Sequence, residues 1–182
     1  MSSRGHHFEV LYRFAPVDAS GDNADVANCF EPLVEKSPNV FYGTLYAGGR
    51  NGNGAVFRYS LANPGIVETV HTFSAANAAG ENSDGANPYA RLTLSEEGDL
   101  YSTASYGGKY GDGAAYRIGR HGCFEVLYTF SATDPATGSN ETVQTQITVC
   151  FWTKRTTVSS VWRIMAASAA SQAALATAHC AG

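Results

Sequence analysis

An internal repeat at an offset of 59 residues is the feature that most constrains this fold. Residues 39–44 (NVFYGT) correspond to 98–103 (GDLYST), which gives 98 − 39 = 59. The Gly-rich run 48–59 (GGRNGNGAVFRY) corresponds to 107–118 (GGKYGDGAAYRI), and 107 − 48 is again 59. Self-similarity at a fixed period is typical of stacked supersecondary units. The sequence therefore predicts a tandem repeat.

A third signal occurs three times along the chain. Its copies are residues 8–15 (FEVLYRFA), 67–75 (VETVHTFSA) and 124–132 (FEVLYTFSA). Their central phenylalanines are Phe14, Phe73 and Phe130, spaced by 73 − 14 = 59 and 130 − 73 = 57 residues. The third copy predicts that another unit begins after the second.

Each unit is predicted to contain four short strands. The first strand of a unit is seen at residues 8–14 of the first unit, which alternate apolar and polar side chains as a half-buried strand does. The other three strands are seen in the second unit, where candidates at 88–94, 100–105 and 114–118 follow a variable loop. Four strands in about 60 residues fit one blade of a β-propeller or a comparable sheet.

The predicted fold class is therefore all-β, a propeller-like tandem repeat of about two and a half four-stranded units. The repeat region covers residues 1–142, with units at roughly 8–66 and 67–123 and the start of a third at 124–142. One such unit cannot cover both faces of its own sheet. We expect its partners to be further repeat units or further copies of the chain.

Composition supports a turn-rich β protein and excludes some partners. The chain has 19 Gly, 12% aromatic residues and 12 Lys+Arg against 16 Asp+Glu, a net charge of −4. Binding to nucleic acid or to an anionic membrane through bulk charge is therefore not expected. No apolar run is long enough to span a membrane, and residues 1–14 show no apolar signal-peptide core.

The repeat resembles the tandem GloVer (Gloeobacter/Verrucomicrobia-type) repeats of bacterial proteins. The matching segments are 41–44 (FYGT), 48–49 (GG), 52–57 (GNGAVF), 70–73 (VHTF), 84–92 (DGANPYARL) and 98–103 (GDLYST). The resemblance implies a propeller-like, exported protein located outside the cell or in the cell envelope. It brings no catalytic residues with it. Residues 143–182 and the missing export signal depart from the family pattern.

Two interpretations of the tail at 143–182 stay open. One is a strand followed by a short Ala-rich helix over 166–178, where helix propensity is high. The other is a change of reading frame, because permitted codons for 143–146 (VQTQ) can encode the Gly-Ala-Asn-Pro of 85–88 in a neighbouring frame. The register agrees, since 143 − 85 = 58. The genomic DNA distinguishes the two.

The glycine-rich runs have a structural and a functional interpretation. A phosphate-binding loop needs a helix directly after its glycines. Here the following residues, 55–59 (AVFRY) and 114–118 (AAYRI), have the composition of strands. We therefore predict hairpin turns in which glycine supplies positive φ.

No catalytic, cofactor-binding or metal-binding residue is assigned from the sequence. The cysteines are Cys29, Cys123, Cys150 and Cys180; without a close C-x-x-C pair they are predicted to be free thiols rather than a zinc site. Of the scattered histidines, His6, His7, His71, His121 and His179, His71 is predicted to point outward from a strand. The loop 18–25 has oxygen ligands at alternate positions but lacks the glycine and glutamate of a calcium loop.

The remaining candidates also have ordinary structural explanations. Asp84, Asp99 and Asp112 are predicted to lie in turns. For the strand aromatics, core packing is favoured over sugar-stacking platforms. These aromatics are Tyr12, Phe14, Phe41, Tyr42, Tyr46, Phe57, Tyr59, Tyr101, Tyr106, Tyr116 and Tyr128.

The predicted function is a non-enzymatic β-repeat module with a structural or carbohydrate-binding role. The alternative is a propeller-type carbohydrate hydrolase or lyase with acidic residues on its loops. A third interpretation is a truncated product without a separate activity.

Overall fold

The computed structural model describes residues 8–14 and 28–132, and this part of the chain is all-β with no helix. Its strands are β1 (Val34–Ser37), β2 (Val40–Leu45), β3 (Ala55–Ser60), β4 (Val67–Thr72), β5 (Thr93–Leu94), β6 (Leu100–Ala104), β7 (Ala114–Ile118) and β8 (Phe124–Thr129). They form two antiparallel four-stranded sheets, sheet 1 with the order β1-β2-β3-β4 and sheet 2 with the order β5-β6-β7-β8. The predicted all-β class is confirmed.

The Gly-rich runs form the connections between β2 and β3 and between β6 and β7. Gly54 has φ +85°, and a Cβ there would lie 2.3 Å from the carbonyl oxygen of Leu45. Its equivalent, Gly113, has φ +99° and would meet the carbonyl oxygen of Ala104 at 2.4 Å. Only glycine fits both the backbone conformation and the space. The predicted hairpin role of these runs is confirmed.

The two sheets repeat their irregularities as well as their strand order. The β3–β4 ladder shifts register between Val56 and Phe57, and the β7–β8 ladder shifts between Ala115 and Tyr116. These bulges lie at equivalent positions, since 115 − 56 = 59. A β-bulge increases local twist, so both sheets bend at the same place.

The grouping of the strands differs from the sequence-based expectation. Residues 67–72 and 124–129, expected to open a unit, form the last strand of the preceding sheet. The reason is the short turn before each of them, because short connections join neighbouring antiparallel strands. Residues 8–14 form no regular strand, and of the candidate strand 88–94 only Thr93 and Leu94 do. The tail at 143–182 lies outside the described residues.

The main core is shared between the two sheets. The face of sheet 1 that we call its trailing face contributes Val34, Tyr42 and Val56. The opposing leading face of sheet 2 contributes Leu100, Ala104, Tyr116 and Ile118. The sheets therefore stack with unlike faces in contact, as expected for units that cannot bury both faces alone.

A ring-on-ring contact is repeated at the leading face of sheet 2 and at the corresponding face of sheet 1, which carries Leu45 and Phe57 and which we call the leading face of sheet 1. Phe73, just after β4, packs edge-on against Tyr116 of sheet 2, with ring centroids 5.5 Å apart and planes at 68°. Phe14 packs against Phe57 on the leading face of sheet 1 at 5.7 Å and 75°. Both pairs are separated by the same repeat offset, 73 − 14 = 116 − 57 = 59. Residues 8–14 thus take the place relative to sheet 1 that the end of β4 takes relative to sheet 2.

The long link from β4 to β5 is fastened to sheet 1 by asparagine hydrogen bonds. Asn87 donates its backbone N–H to the carbonyl of Asn53 at 2.8 Å and its Nδ2 to the carbonyl of Tyr46 at 2.9 Å. Asn87 has φ 54°, and its repeat equivalent Asn28 has φ 65°. Asparagine tolerates this left-handed conformation better than other non-glycine residues.

Candidate functional site

A buried carboxylate, Asp84, lies at the junction of the two sheets. It accepts a hydrogen bond from Nε2 of His71 at 2.9 Å. It also accepts from the backbone N–H of Ser74 at 3.1 and 3.2 Å, and from the Ser74 hydroxyl. Burial by itself would raise the pKa of Asp84, but the bonds from His71 and Ser74 outweigh it and hold this pKa below its usual value.

The prediction that His71 is an outward surface residue is wrong. Its ring is stacked on Phe124 of β8, with centroids 3.5 Å apart and planes 6° apart. The bulge in the β3–β4 ladder alters the alternation along β4, which a strict period of two does not anticipate. His71 therefore bridges from sheet 1 to sheet 2 and to Asp84.

The order of contacts in this cluster does not suit nucleophilic catalysis. A serine nucleophile needs a histidine within hydrogen-bond reach to take its proton, and the acid orients that histidine. Here Asp84 stands between Ser74 and His71 and bonds to both. The arrangement instead fastens the β4–β5 link to β4.

The surface of the junction carries a group of three rings that we call the aromatic cluster: Phe30, Tyr46 and Tyr89. The centroid of Phe30 lies 5.7 Å from Tyr46 and 5.4 Å from Tyr89, and Tyr46 and Tyr89 are 6.1 Å apart. Phe30 is 57% exposed and Tyr89 54% exposed. Exposed aromatic groups of this kind mark interaction sites more often than isolated apolar residues do.

The local structure explains how the cluster forms. Phe30 precedes β1, Tyr46 follows β2, and Tyr89 lies in the segment before β5. Asn28 and Asn87 set the chain direction two residues before Phe30 and Tyr89, respectively. Asn28 accepts from the N–H of Tyr46 at 3.1 Å, and the Asn87 amide bonds to the Tyr46 carbonyl. The three rings are thus held together by the backbone of the junction.

Sequence reasoning included Tyr46 among the aromatics but missed Phe30 and Tyr89. The two missed residues are repeat equivalents, since 89 − 30 = 59. The signal was available in the matching pairs Asn28-x-Phe30 and Asn87-x-Tyr89. It was weak because Cys29 stands where the second unit has Pro88.

A shallow groove of about 560 Å³ also lies between the sheets, lined in part by Lys36, Tyr42, Arg58, Arg120 and His121. Nζ of Lys36 donates to the carbonyl of Arg120 at 3.3 Å and lies 5.1 Å from the centre of the Tyr42 ring. Burial lowers the pKa of Lys36. Arg58 is paired with Glu68 at 2.5 Å. These charges therefore have partners within the fold, and the groove is the weaker candidate.

The other predicted residues have mixed outcomes. Core packing is confirmed for the buried aromatics Tyr42, Phe57, Tyr59 and Tyr116, whereas Tyr106 is exposed. Asp99 lies before β6 and accepts the backbone N–H of Arg120 at 2.8 Å, as a turn aspartate can.

Of the two cysteines in the described part of the chain, one is a free thiol and the other is disulfide-bonded. Cys29 is a free thiol, as predicted. Cys123 is disulfide-bonded, which corrects the prediction of a free thiol there. In residues 8–14 and 28–132, no group of three or more His, Cys, Asp or Glu side chains could hold a metal ion. The loop 18–25, His6, His7, His179, Cys150 and Cys180 lie outside the described residues.

Two equivalent sheets, stacked in one direction with the same contacts at each leading face, define an all-β tandem-repeat protein. The family model of the Gloeobacter/Verrucomicrobia repeat matches residues 1–162. The chain belongs to this family. No curated protein and no solved structure matches it. Within the described part of the chain, no helix has the length and apolar character needed to cross a membrane.

Proposed function

We propose that this chain is a non-enzymatic, propeller-like repeat module of an exported bacterial protein, and that it binds carbohydrate through the aromatic cluster. The observation that carries the proposal is the exposure of Phe30 and Tyr89 beside Tyr46. A sugar ring presents an apolar C–H face to an aromatic ring and keeps its hydroxyls free for polar groups. Tyrosine suits such a ligand because its body is apolar and its tip is polar.

The geometry of the cluster favours an extended or branched glycan over a flat ligand. The Tyr46 and Tyr89 planes meet at 89°, while those of Phe30 and Tyr89 differ by 39°. Rings at such different angles offer separate stacking faces to neighbouring sugar units. The sheets supply a rigid support, which limits the entropy lost on binding.

The test is a binding measurement on insoluble polysaccharides and a panel of soluble oligosaccharides. We expect the intact chain to bind at least one of them, and Phe30→Ala or Tyr89→Ala to weaken that binding about tenfold or more. The matched control is Ile66→Ala, because Ile66 is 56% exposed but lies in the β3–β4 turn. It should bind as the unaltered protein does.

Two results would contradict the proposal: no binding to any sugar tested, or equal binding by all variants with unchanged thermal unfolding. The hydrolase or lyase alternative is tested in the same samples. It predicts release of soluble oligosaccharides over time, whereas a binding module leaves the polysaccharide intact.

A further inference from the structure

Residues 8–14 nearly duplicate a strand of sheet 2 without being part of a sheet. Their sequence, FEVLYRF, matches 124–130, FEVLYTF, at six of seven positions and differs only at Arg13 and Thr129. Residues 124–129 form β8, paired with β7 along its length. Residues 8–14 have no assigned strand. Nearly the same sequence therefore forms a strand at residues 124–129 and forms none at residues 8–14.

The segment is nevertheless docked as a fourth strand would be. Phe14 occupies the leading face of sheet 1 as Phe73 occupies that of sheet 2. Tyr12 and Phe14 are in edge contact at 5.0 Å, and the equivalent pair Tyr128 and Phe130 is at 5.5 Å. The contacts of this segment with the next sheet are thus already formed.

Within residues 8–14 and 28–132, the contacts of this segment toward a sheet of its own are not formed. Phe8 is 87% exposed, and Val10 and Leu11 are also exposed. Their equivalents in β8 are half-buried. Leaving three apolar side chains in water forgoes about 1 kcal/mol or more each.

The charge pattern identifies the strand that would cover this segment. Glu9 is equivalent to Glu125 and to Glu68. Each of those glutamates bonds to an arginine on the third strand of its sheet, Arg117 at 2.6 Å and Arg58 at 2.5 Å. A partner for residues 8–14 should therefore carry an arginine opposite Glu9.

We propose that residues 8–14 are the fourth strand of a further repeat sheet, and that their partner is the three-stranded part of another unit of this repeat, corresponding to β5–β7. The antiparallel register follows from β8: Phe8 lies opposite the equivalent of Ile118, Glu9 opposite that of Arg117, and Tyr12 opposite that of Ala115. Pairing adds main-chain hydrogen bonds along the exposed edge, as in β-strand addition.

The experiment supplies that unit directly. A second copy of residues 74–123 is placed before Phe8 in the otherwise complete chain, in place of residues 1–7, so that the natural turn before β8 now precedes Phe8. Hydrogen exchange is followed on peptides that contain Arg13, which distinguishes residues 8–14 from β8. We expect exchange in this segment to slow about tenfold or more relative to the unaltered chain.

A charge exchange tests the register. Glu9→Lys should remove much of the added protection in the extended chain, because it places like charges opposite each other. Changing the arginine of the added copy that corresponds to Arg117 to Glu should restore it. In the unaltered chain, Glu9→Lys should leave the free energy of unfolding unchanged. The proposal would be overturned if the amides of residues 8–14 were unprotected in the extended chain. It would also be overturned if their protection did not change with the charge exchange.

Discussion

Tyr116 shows how a single residue can depart from the repeat at a cost to the fold. Its ring is fully buried, and its hydroxyl has no hydrogen-bond partner within the described part of the chain. Ser102, opposite it on β6, donates its own hydroxyl hydrogen to the carbonyl of Ala90 at 3.0 Å. Burial raises the pKa of Tyr116 well above its ordinary value. The equivalent residue in sheet 1 is Phe57, which has no hydroxyl to satisfy.

Replacing Tyr116 with Phe should therefore not destabilise the protein. Removing an unpaired buried hydroxyl spares a desolvation cost of about 1–3 kcal/mol. We expect the free energy of unfolding for Tyr116→Phe, measured in urea, to be unchanged or higher. The control is Tyr59→Phe, whose hydroxyl donates to the carbonyl of Leu11 at 3.4 Å and should lose about 0.5–1.5 kcal/mol. A clear loss for Tyr116→Phe would mean that its hydroxyl is bonded.

Asp84 should make stability depend on acid pH. Because its folded pKa lies below the usual value, the carboxylate stabilises the fold above the unfolded-state pKa of about 3.9. That contribution is lost as the pH falls through the lower, folded pKa.

The variant Asp84→Asn should lose about 1–3 kcal/mol at pH 7, since it leaves the bonds of His71 and Ser74 without a charged acceptor. The difference from the unaltered protein should shrink on acidification, as measured by urea unfolding between neutral and acid pH. The exposed Glu96→Gln serves as the control and should show no such trend. A difference independent of pH would contradict the role given to the Asp84 charge.

At the scale of elements, the hairpins depend on glycine for two separate reasons. Gly54 and Gly65 both have positive φ, +85° and +81°. A Cβ at Gly54 would collide with two backbone carbonyls, whereas nothing lies within 4 Å of one at Gly65. Substitutions at these two glycines therefore separate the cost of conformational strain from the cost of a steric collision.

We expect Gly65→Ala to cost about 1–2 kcal/mol, the strain of a left-handed alanine. Gly54→Ala should cost at least twice as much, because the β2–β3 hairpin must also move. Thermal unfolding of the two variants is the measurement. Equal decreases in Tm for the two variants would show that the hairpin accommodates a Cβ at position 54 without an additional loss of stability.

The elements could be predicted from sequence where the signal is local. The prediction failed where the formation of an element depends on its partners. The Gly-rich runs specify their turns through backbone sterics, so the hairpins at Gly54 and Gly113 could be inferred from sequence. Whether residues 8–14 form a strand depends on a neighbouring strand, which no local pattern reveals. The position of His71 was missed for a related reason, because a bulge changes which face a residue occupies.

At the scale of the whole molecule, stability should depend on the contact between sheets. Phe73 is fully buried between them, whereas Phe14 makes the equivalent contact at sheet 1 and is only half-buried. We expect Phe73→Ala to cost about 3–5 kcal/mol and to unfold both sheets at lower denaturant. Phe14→Ala should cost less than half as much in the same urea titration. Equal losses would show that residues 8–14 are as firmly packed as the interior junction.

The candidate site also emerges only at this scale. Phe30 and Tyr89 are 59 residues apart and meet because successive units stack. The repeat offset could have paired them as equivalents, but equivalence in sequence does not specify contact in space. The exposure of the two rings depends on the chain direction that Asn28 and Asn87 set before them. Composition does not encode this direction.

The unlike faces of each sheet have an evolutionary consequence. Because the trailing face of sheet 1 packs against the leading face of sheet 2, a further unit added in the same direction would meet a face of the same kind. Duplicating or deleting one entire unit in the gene leaves the remaining junctions intact. Unequal recombination can therefore lengthen or shorten such a protein in single steps, without compensating substitutions at the points of joining.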